Sequence, residues 1–337
     1  MQETIIIDAM SGDNAPLEIM RGVLAAMRAT DARFILVGNL GEMKRIAREI
    51  GLGAERIELV HAPTVVSMDD HPITAYHQKK DSSMMTGLRL LAEGRGDAFV
   101  SAGNTGALFT GATFLVKRAK GVNRAAIGTV IPGAKPFLLL DAGANVSVTP
   151  AYLEQFAIMG SEYMKHLYGT ESPSVGLLNN GTEDGKGTDL LIDTNARLKT
   201  CSAIRYAGNV EGNQAMLGAC DVLVADGFTG NIFLKSAEGA FRLMLGTLKQ
   251  EYGKNPKNKL SALLFRSSLR GMKKTFDPAE HGGSPILGIS KPVIKAHGSS
   301  DARAIQNAIT CAIGYAQSGM TETLSAALTC TDKAPAT

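Results

Sequence analysis

Short β-branched runs alternate with helical stretches along most of the chain, and this alternation limits the folds open to it. TIII (4–7), RFILVG (33–38) and DVLVADG (221–227) are each followed by a segment of helical character. Such alternation predicts β-α-β units with largely parallel strands, since a helix carries the chain back to the start of the next strand. Helices then cover both faces of the sheet. We therefore predict a three-layer α/β/α sandwich, and without a Pro- or Ser-rich linker we predict one domain over residues 1–337.

The alternation stops after Gly230. Two helical stretches, about 231–252 and 258–274, follow each other without a strand between them, which predicts a helical hairpin (231–275) projecting from the sheet. In the second stretch, at about 100° per residue, basic side chains share one sector beside a broad apolar face. This pattern is typical of a helix at an anionic membrane surface. A contact with an acidic carrier protein, or a place in a dimer interface or the core, stays open. The residues predicted to make the membrane or carrier contact are Leu260, Leu264, Phe265, Arg266, Leu269, Arg270 and Lys273.

Composition excludes several classes of protein. With 45% hydrophobic and 20% charged residues the chain is an ordinary globular protein, and a net charge of +3 is too small to indicate nucleic acid. No apolar stretch approaches the ~18 residues that a spanning helix needs, and the N-terminal residues lack the basic region of a secretory signal. Four scattered cysteines fit a reducing cytoplasm. The six histidines show no metal-binding spacing, so we expect no metal.

Loops rich in Gly, Asn and Asp follow six of the predicted strands. Ligands bind beyond the carboxyl ends of parallel strands, so these loops predict a site, on the assumption that all six lie at the same end of one sheet. Small residues let backbone amides approach a ligand closely. The loops are DAMSGDNAP (8–16), SAGNTGA (101–107), DAGANVS (141–147), NNGTEDGKG (179–187), AGNVEGN (207–213) and ADGFTGN (225–231).

Several of these features favour a phosphate over a nucleotide. Lys186 lies in a loop that resembles a Walker motif, but Gly181 and Gly185 are one residue too close and Gly187 replaces the hydroxyl that would hold magnesium. HQKKDSSM (77–84) adds two lysines and two serines before a helix. The chain contains neither G-x-G-x-x-G after its first strand nor G-x-S-x-G. Aspartates at strand ends either orient ligand-binding groups or make turns, and His281 and His297 could donate to an oxyanion or only brace their loops.

The loops, in this order, resemble those of the bacterial phosphate acyltransferases, which make acyl phosphate from acyl-acyl carrier protein and inorganic phosphate. The resemblance spans nearly the whole chain. It rests on DAMSGD, KKDSSM, SAGNTGAL, LLDAGAN, GLLNNGTEDGKG, GNVEGN, DVLVADGFTGNIFLK and HGGSPILGI. Residues that depart from the usual pattern are Ser11, His77, Ala125, Ser147, Asn180, Thr182 and His281.

The resemblance implies a fold of the isopropylmalate-dehydrogenase and phosphotransacetylase class, a homodimer and no cofactor. It also implies acyl carrier protein and phosphate as substrates, phospholipid synthesis as the role, and a membrane glycerol-3-phosphate acyltransferase as the next user of the product. A cytoplasmic protein at the inner face of the cell membrane would suit that delivery.

The resemblance also suggests roles for individual residues. Lys186 would hold phosphate, with Asn104 as a second catalytic group that donates a hydrogen bond. The further substrate-binding candidates are Asp8, Gly12, Asp13, Lys79, Ser82, Ser83, Thr105, Gly106, Asn145, Asn179, Gly187, Asn209, Asp226, Gly230, Asn231 and His297.

Three other functions are weighed against this one. A phosphotransacetylase acting on short acyl-coenzyme A would share the fold and differ in its acyl pocket. A decarboxylating dehydrogenase would need a metal-binding set of aspartates that the sequence does not show. A non-enzymatic membrane scaffold would explain the basic hairpin and leave the six polar loops without a role.

Overall fold

A computed structural model describes residues 2–254, 271 and 282–331. Within this part of the chain, eleven strands form a single sheet in the order β3-β2-β1-β4-β11-β10-β5-β6-β9-β7-β8. In chain order the strands are β1 (Thr4–Asp8), β2 (Arg33–Gly38), β3 (Ile57–His61), β4 (Ala98–Ser101), β5 (Ala126–Ile131), β6 (Phe137–Leu140), β7 (Ser174–Leu178), β8 (Arg205–Val210), β9 (Val222–Val224), β10 (Ser284–Leu287) and β11 (Val293–Lys295).

Helices connect most of these strands. A π-helical turn, 112–116, directly follows the α-helix Thr105–Gly111. The α-helices in the described ranges are α1 (Leu17–Ala29), α2 (Leu40–Ile50), α3 (Pro72–Gln78), α4 (Ser83–Ala92), α5 (Thr105–Gly111), α6 (Pro150–Tyr168), α7 (Asp189–Thr200), α8 (Gly212–Met216), α9 (Gly227–Gly253), α10 (Ala302–Gln317) and α11 (Met320–Thr331).

Buried residues on both faces of the sheet give the three layers. Ile5 and Ile7 of β1 belong to one hydrophobic cluster and Ile6 to a second, because successive side chains of a strand point to opposite faces. Helices α1, α6 and α10 supply the first cluster, while α4, α5 and α9 contribute to the second. The predicted three-layer α/β/α class is therefore confirmed.

The sheet is largely parallel, as predicted, but it contains two parallel groups that run in opposite directions. Seven of the ten strand pairings are parallel. The other three are consecutive at the centre, where β11 pairs with β10, β10 with β5, and β5 with β6. An odd number of reversals leaves the β3-β2-β1-β4-β11 group antiparallel to the β6-β9-β7-β8 group. The prediction that all six polar loops lie at the same end of the sheet is therefore wrong.

Two other sequence-based placements need comment. Asn209 was predicted to lie in a loop, but it is a residue of β8 and pairs with Leu177, so that placement is wrong. The first helix of the predicted hairpin is α9, which begins earlier, at Gly227. The second helix, 258–274, lies outside the described residues, and so do all seven predicted membrane or carrier contacts.

Candidate active site

A cleft of about 940 Å³ lies where the two parallel groups of strands adjoin. Its walls come from β5, from the loops that follow β4, β6 and β11, and from α9. We refer to it as the central cleft. Both groups of strands contribute to it, one through the loops after β4 and β11 and the other through the loop after β6.

The first wall is built by the loops after β1, β4 and β11. The amide of Asp13 donates to the carbonyl of Gly298 at 2.8 Å, and the Asn14 side chain donates to the carbonyls of residues 299 and 300. Gly12 has φ +113°, and a Cβ there would lie 3.0 Å from the Cβ of Ala102. Glycine at position 12 thus allows the three loops to touch. The predicted residues Gly12 and Asp13 brace this wall.

A buried lysine lines the central cleft. Lys295 is the last residue of β11 and lines the cleft, although it is only 9% exposed. Its ammonium donates to the carbonyl of Ala296. Burial lowers the pKa of Lys295 to about 8, opposed by the charge of Asp13. His297 lies beside it, and burial and the charge of Lys295 lower the pKa of His297 too.

The second wall joins the loop after β6 to the start of α9. Asp141 is fully buried, and its carboxylate accepts from the amides of residues 127 and 143–145 and from the Asn145 side chain, at 2.7–3.1 Å. Burial raises the pKa of Asp141, and these donors oppose the rise. A Cβ at Gly230 would lie 1.9 Å from the carbonyl oxygen of Asp141. Asp226 caps α9 by accepting from the amides of Phe228 and Thr229, both at 2.9 Å. The predicted residues Asn145, Asp226 and Gly230 therefore position α9 on the sheet.

Apolar side chains line part of the central cleft. Leu234, Phe241 and Leu245 repeat along α9 at helical spacing and line the cleft. Val130 and Ile131 of β5 line it as well. A ligand with a charged head group and an apolar tail would fit a space lined in this way.

The charged residues of α9 lie along this cleft. Glu238 accepts from Lys235 at 3.0 Å and from Arg242 at 3.3 Å. Among the described lining residues, three side chains are basic and two are acidic, which leaves one positive charge in excess; they are Lys235, Arg242 and Lys295, and Glu238 and Asp301. The central cleft therefore favours an anion.

Asn104 and Lys79 brace the loop that covers α5. Asn104 caps α5 by accepting from the amide of Ala107 at 2.9 Å, and its amide group donates to the carbonyls of Met68 and Asp70. Lys79 forms an ion pair with Asp70 at 2.6 Å, and this contact holds the pKa of Asp70 below its usual value. Thr105 follows Asn104 and lines the central cleft together with the predicted residues Asn231 and His297. Gly106 contacts Pro72 instead.

The loop that carries Lys186 lies outside the lining of the central cleft. Asn179 donates to the carbonyl of Lys186 at 3.0 Å, and Asn209 donates to that of Glu183 at 2.9 Å. Gly187 has φ +94°, and a Cβ there would meet the Asn179 side chain. The Lys186 side chain is exposed, and its stem packs over Gly181. These contacts shape the loop, and the assignment of phosphate to Lys186 stays a prediction.

The remaining candidates are buried near the first group of strands. Asp8 accepts from the hydroxyl of Ser101 at 2.8 Å. Ser82 caps α4 by accepting from the amide of Met85 at 3.3 Å. The Ser83 hydroxyl is buried and has no hydrogen-bond partner among the described residues.

Sequence reasoning missed Lys295 and Ser300. Lys295 ends the apolar run PVIK, and a lysine after such a run is most often a solvated strand end. Ser300 precedes an N-cap aspartate and is easily taken for part of the cap. Only the pairing of β11 between β4 and β10 puts both residues at the cleft.

Metal-binding clusters, reactive thiols and membrane-spanning helices were sought among the residues described. No group of three His, Cys, Asp or Glu side chains is arranged there to hold a metal ion. Burial raises the pKa of Cys201, Cys220 and Cys311, so these thiols stay protonated at neutral pH. None of the helices in the same ranges is both long enough and apolar enough to cross a membrane.

Comparisons with known proteins agree with the sequence resemblance. The model of the family described as "Fatty acid synthesis protein" matches residues 3–323. A phosphate acyltransferase from Acetivibrio thermocellus is 45% identical over 315 residues, covering 93% of each chain. One from Desulforamulus reducens is 44% identical over 320 residues, covering 94% of each.

Solved structures with low sequence identity share the fold. The EutD phosphotransacetylase from Staphylococcus aureus gives a TM-score of 0.60 at 16% identity, covering 95% of this chain and 94% of that one. A branched-chain phosphotransacylase from Enterococcus faecalis gives 0.58 at 17% identity, covering 94% and 100%. At this identity the likeness concerns the fold alone.

Proposed function

The chain belongs to the fatty acid synthesis protein family and is an enzyme that transfers an acyl group to phosphate, and we propose that its donor is a long-chain acyl thioester of acyl carrier protein. The product would be an acyl phosphate for phospholipid synthesis. The observation that carries this proposal is the central cleft, which is lined by the buried ammonium of Lys295 and by apolar side chains of α9 and β5. A long acyl chain fills such a wall, whereas an acetyl group would leave it empty.

The reaction we propose needs positioning more than acid-base chemistry. An oxygen of phosphate attacks the thioester carbonyl carbon, so that a C–O bond forms, the C–S bond breaks and the carrier leaves as a thiolate that takes up a proton from water. Phosphate is already ionised near neutral pH, so no strong base is required. The protein holds two anions together, the nucleophile and the developing oxyanion, and pre-aimed donors can supply most of the rate enhancement.

Donors for both anions lie in or beside the central cleft. Lys295, Thr105 and Asn231 line it, and Asn104 holds the loop that precedes α5. Lys186 would need to act from beyond the described lining. We therefore place the reacting groups at the end of the cleft where Lys295 lies.

The surroundings of the reaction are part of the proposal. An acyl phosphate is labile and has an apolar tail, so delivery to a membrane acyltransferase at the inner face of the cell membrane would protect it. The hairpin that could make this peripheral contact begins with α9. A homodimer is also expected from the resemblance in sequence.

Trapping of the product tests the proposal. Purified protein is mixed with palmitoyl-carrier and phosphate, and acyl phosphate is captured with hydroxylamine as the hydroxamate. We expect product from the carrier thioester at a kcat/KM at least about tenfold above that for acetyl-coenzyme A, the scale of one or two buried methylene contacts. Faster turnover of acetyl-coenzyme A would favour a phosphotransacetylase acting on short chains. Omission of phosphate is the control, because hydroxylamine also attacks the thioester directly, and only hydroxamate above that background reports acyl phosphate.

A further inference from the structure

We propose that Lys295 and Ser300 form the binding site for inorganic phosphate in the central cleft. The inference rests on the proposed function, since it names the site of the second substrate. It differs from the sequence-based assignment, which gave phosphate to Lys186.

The position of Lys295 is set by the sheet. Residues alternate between faces along β11, so Lys295 lies on the same face as Val293, which is buried in the second hydrophobic cluster. In the sheet, Lys295 pairs with Ser284 of β10 on one side and Ser101 of β4 on the other. Its ammonium is therefore held beside the backbone where the two groups of strands adjoin. A lysine on the surface would not be fixed in this way.

The ammonium has capacity for a ligand. An ammonium has three donors, and within the described ranges the acceptor it reaches is the carbonyl of Ala296. Asp13 is the acidic residue whose charge acts on it, while Lys235 and His297 are basic neighbours. A dianion between these groups would satisfy the remaining donors and offset the mutual repulsion of the basic groups.

Ser300 supplies the second, independent observation. It lines the central cleft, is 6% exposed, and its hydroxyl has no hydrogen-bond partner among the residues described. Its backbone is fixed, since its amide donates to the carbonyl of His297 at 3.0 Å and its carbonyl accepts from Asn14 at 3.3 Å. A buried hydroxyl without a partner is unfavourable, and a phosphate oxygen would accept a hydrogen bond from it.

Two carboxylates that line the cleft have partners of their own. Asp301 accepts from the amide of Ala304 as the cap of α10, at 2.9 Å. Glu238 is held by Lys235 and Arg242. Asp13 is the carboxylate whose charge acts on Lys295.

Lysine and serine variants test the assignment. Lys295→Met, Ser300→Ala and Lys186→Met are compared with the wild type in two measurements, the KM values for phosphate and for palmitoyl-carrier, and direct binding of inorganic phosphate by calorimetry. Lys295→Met should raise the KM and the Kd for phosphate about 10- to 100-fold, the effect of losing a hydrogen bond to a charged group. The KM for the carrier substrate should change less than about twofold, and Ser300→Ala should weaken phosphate binding about 5-fold.

Lys291→Met is the matched control. Lys291 lies just before β11, and its ammonium donates to the carbonyl of Gly96 at 3.2 Å, away from the central cleft. Lys291→Met should bind phosphate like the wild type, and Lys186→Met tests the sequence-based assignment. Thermal unfolding without phosphate verifies that each variant is folded, and Ser300→Ala carries the test if Lys295→Met is not.

The outcomes separate the inference from the proposed function. Wild-type phosphate affinity in both Lys295→Met and Ser300→Ala overturns the inference, and a loss confined to Lys186→Met moves the site to that loop. If the wild type binds phosphate through Lys295 but makes no hydroxamate from palmitoyl-carrier, the proposed donor is wrong and the phosphate site stands.

Discussion

Replacing Lys295 with methionine should stabilise the ligand-free protein. The lysine is buried without a bound anion, so folding must remove part of its hydration. Methionine has a similar length and no charge, and it fills the same space beside Val293. Removal of a poorly compensated buried charge is often neutral or stabilising. A residue kept for binding would in this way lower stability.

The magnitude follows from the pKa of Lys295. Its ordinary value of 10.5 falls to about 8 in the folded chain, and the difference corresponds to about 3 kcal/mol of lost stability. Below pH 8 the lysine is charged in both states, so the full loss is present. Between pH 8 and 10.5 only the unfolded chain binds the proton, and stability therefore rises with pH. Losing the hydrogen bond to Ala296 subtracts about 1 kcal/mol, which leaves a net gain of about 2 kcal/mol for Lys295→Met at pH 7.

Urea unfolding at pH 7 and near pH 10 measures this difference in the free energy of unfolding. Phosphate is left out of the buffer, since a ligand bound to the folded state would stabilise the wild type by mass action. The gain should shrink towards zero near pH 10, and Lys291→Met should stay within about 0.5 kcal/mol of the wild type at both values. A Lys295→Met protein that is less stable at pH 7, or a gain that does not depend on pH, would refute the reasoning.

Three further substitutions test the rest of the site. Gly230→Ala should destabilise the protein by about 1–3 kcal/mol or more, since its Cβ would lie 1.9 Å from the carbonyl oxygen of Asp141. Gly239→Ala, which has open space on the same helix, should raise the melting temperature slightly. Equal effects of the two substitutions would contradict the packing of α9. Leu245→Glu should raise the KM for palmitoyl-carrier about tenfold or more and leave the KM for short acyl donors unchanged. Leu243→Glu, at an exposed position of α9, should change neither KM. If Leu245→Glu raises both KM values alike, the apolar residues of α9 do not bind the acyl chain. Asp141→Asn should lower the free energy of unfolding by about 1.5–3 kcal/mol. The reason is that the amide group of asparagine would place an N–H against the N–H donors that surround the carboxylate. An unchanged urea midpoint would mean that this carboxylate is protonated in the wild type.

Local patterns in the sequence were enough to predict the class of fold. The β-branched runs at β1 and β2 and the capped segments at α4 and α6 agree with the structure, because burial on one or both faces leaves a periodic record. Direction within the sheet leaves no such record. The antiparallel pairing of β5 with β10 joins residues more than 150 positions apart, such as Thr129 and Ser284, and no local run of residues encodes it.

The candidate site was predicted less completely, for a related reason. Asn209 looked like a loop residue because β8 is an edge strand with polar residues and a glycine at φ +95°. Asn104 and Asn145 were expected to bind substrate, and each also makes hydrogen bonds that fix its own loop. Polar residues at strand ends serve as structure and as ligands alike, and composition does not separate the two roles.

The arrangement of α9 explains why one cleft can hold such different groups. Its capped N-terminus packs on the loop after β6, where Gly227 and Gly230 allow backbone to approach backbone. From there the helix runs past the end of β11, so its leucines face the space that Lys295 closes. The helix is anchored to one parallel group of strands and the lysine belongs to the other. A substrate with an apolar chain and an anionic partner would therefore contact residues from both groups of strands. Either group alone supplies only part of the site.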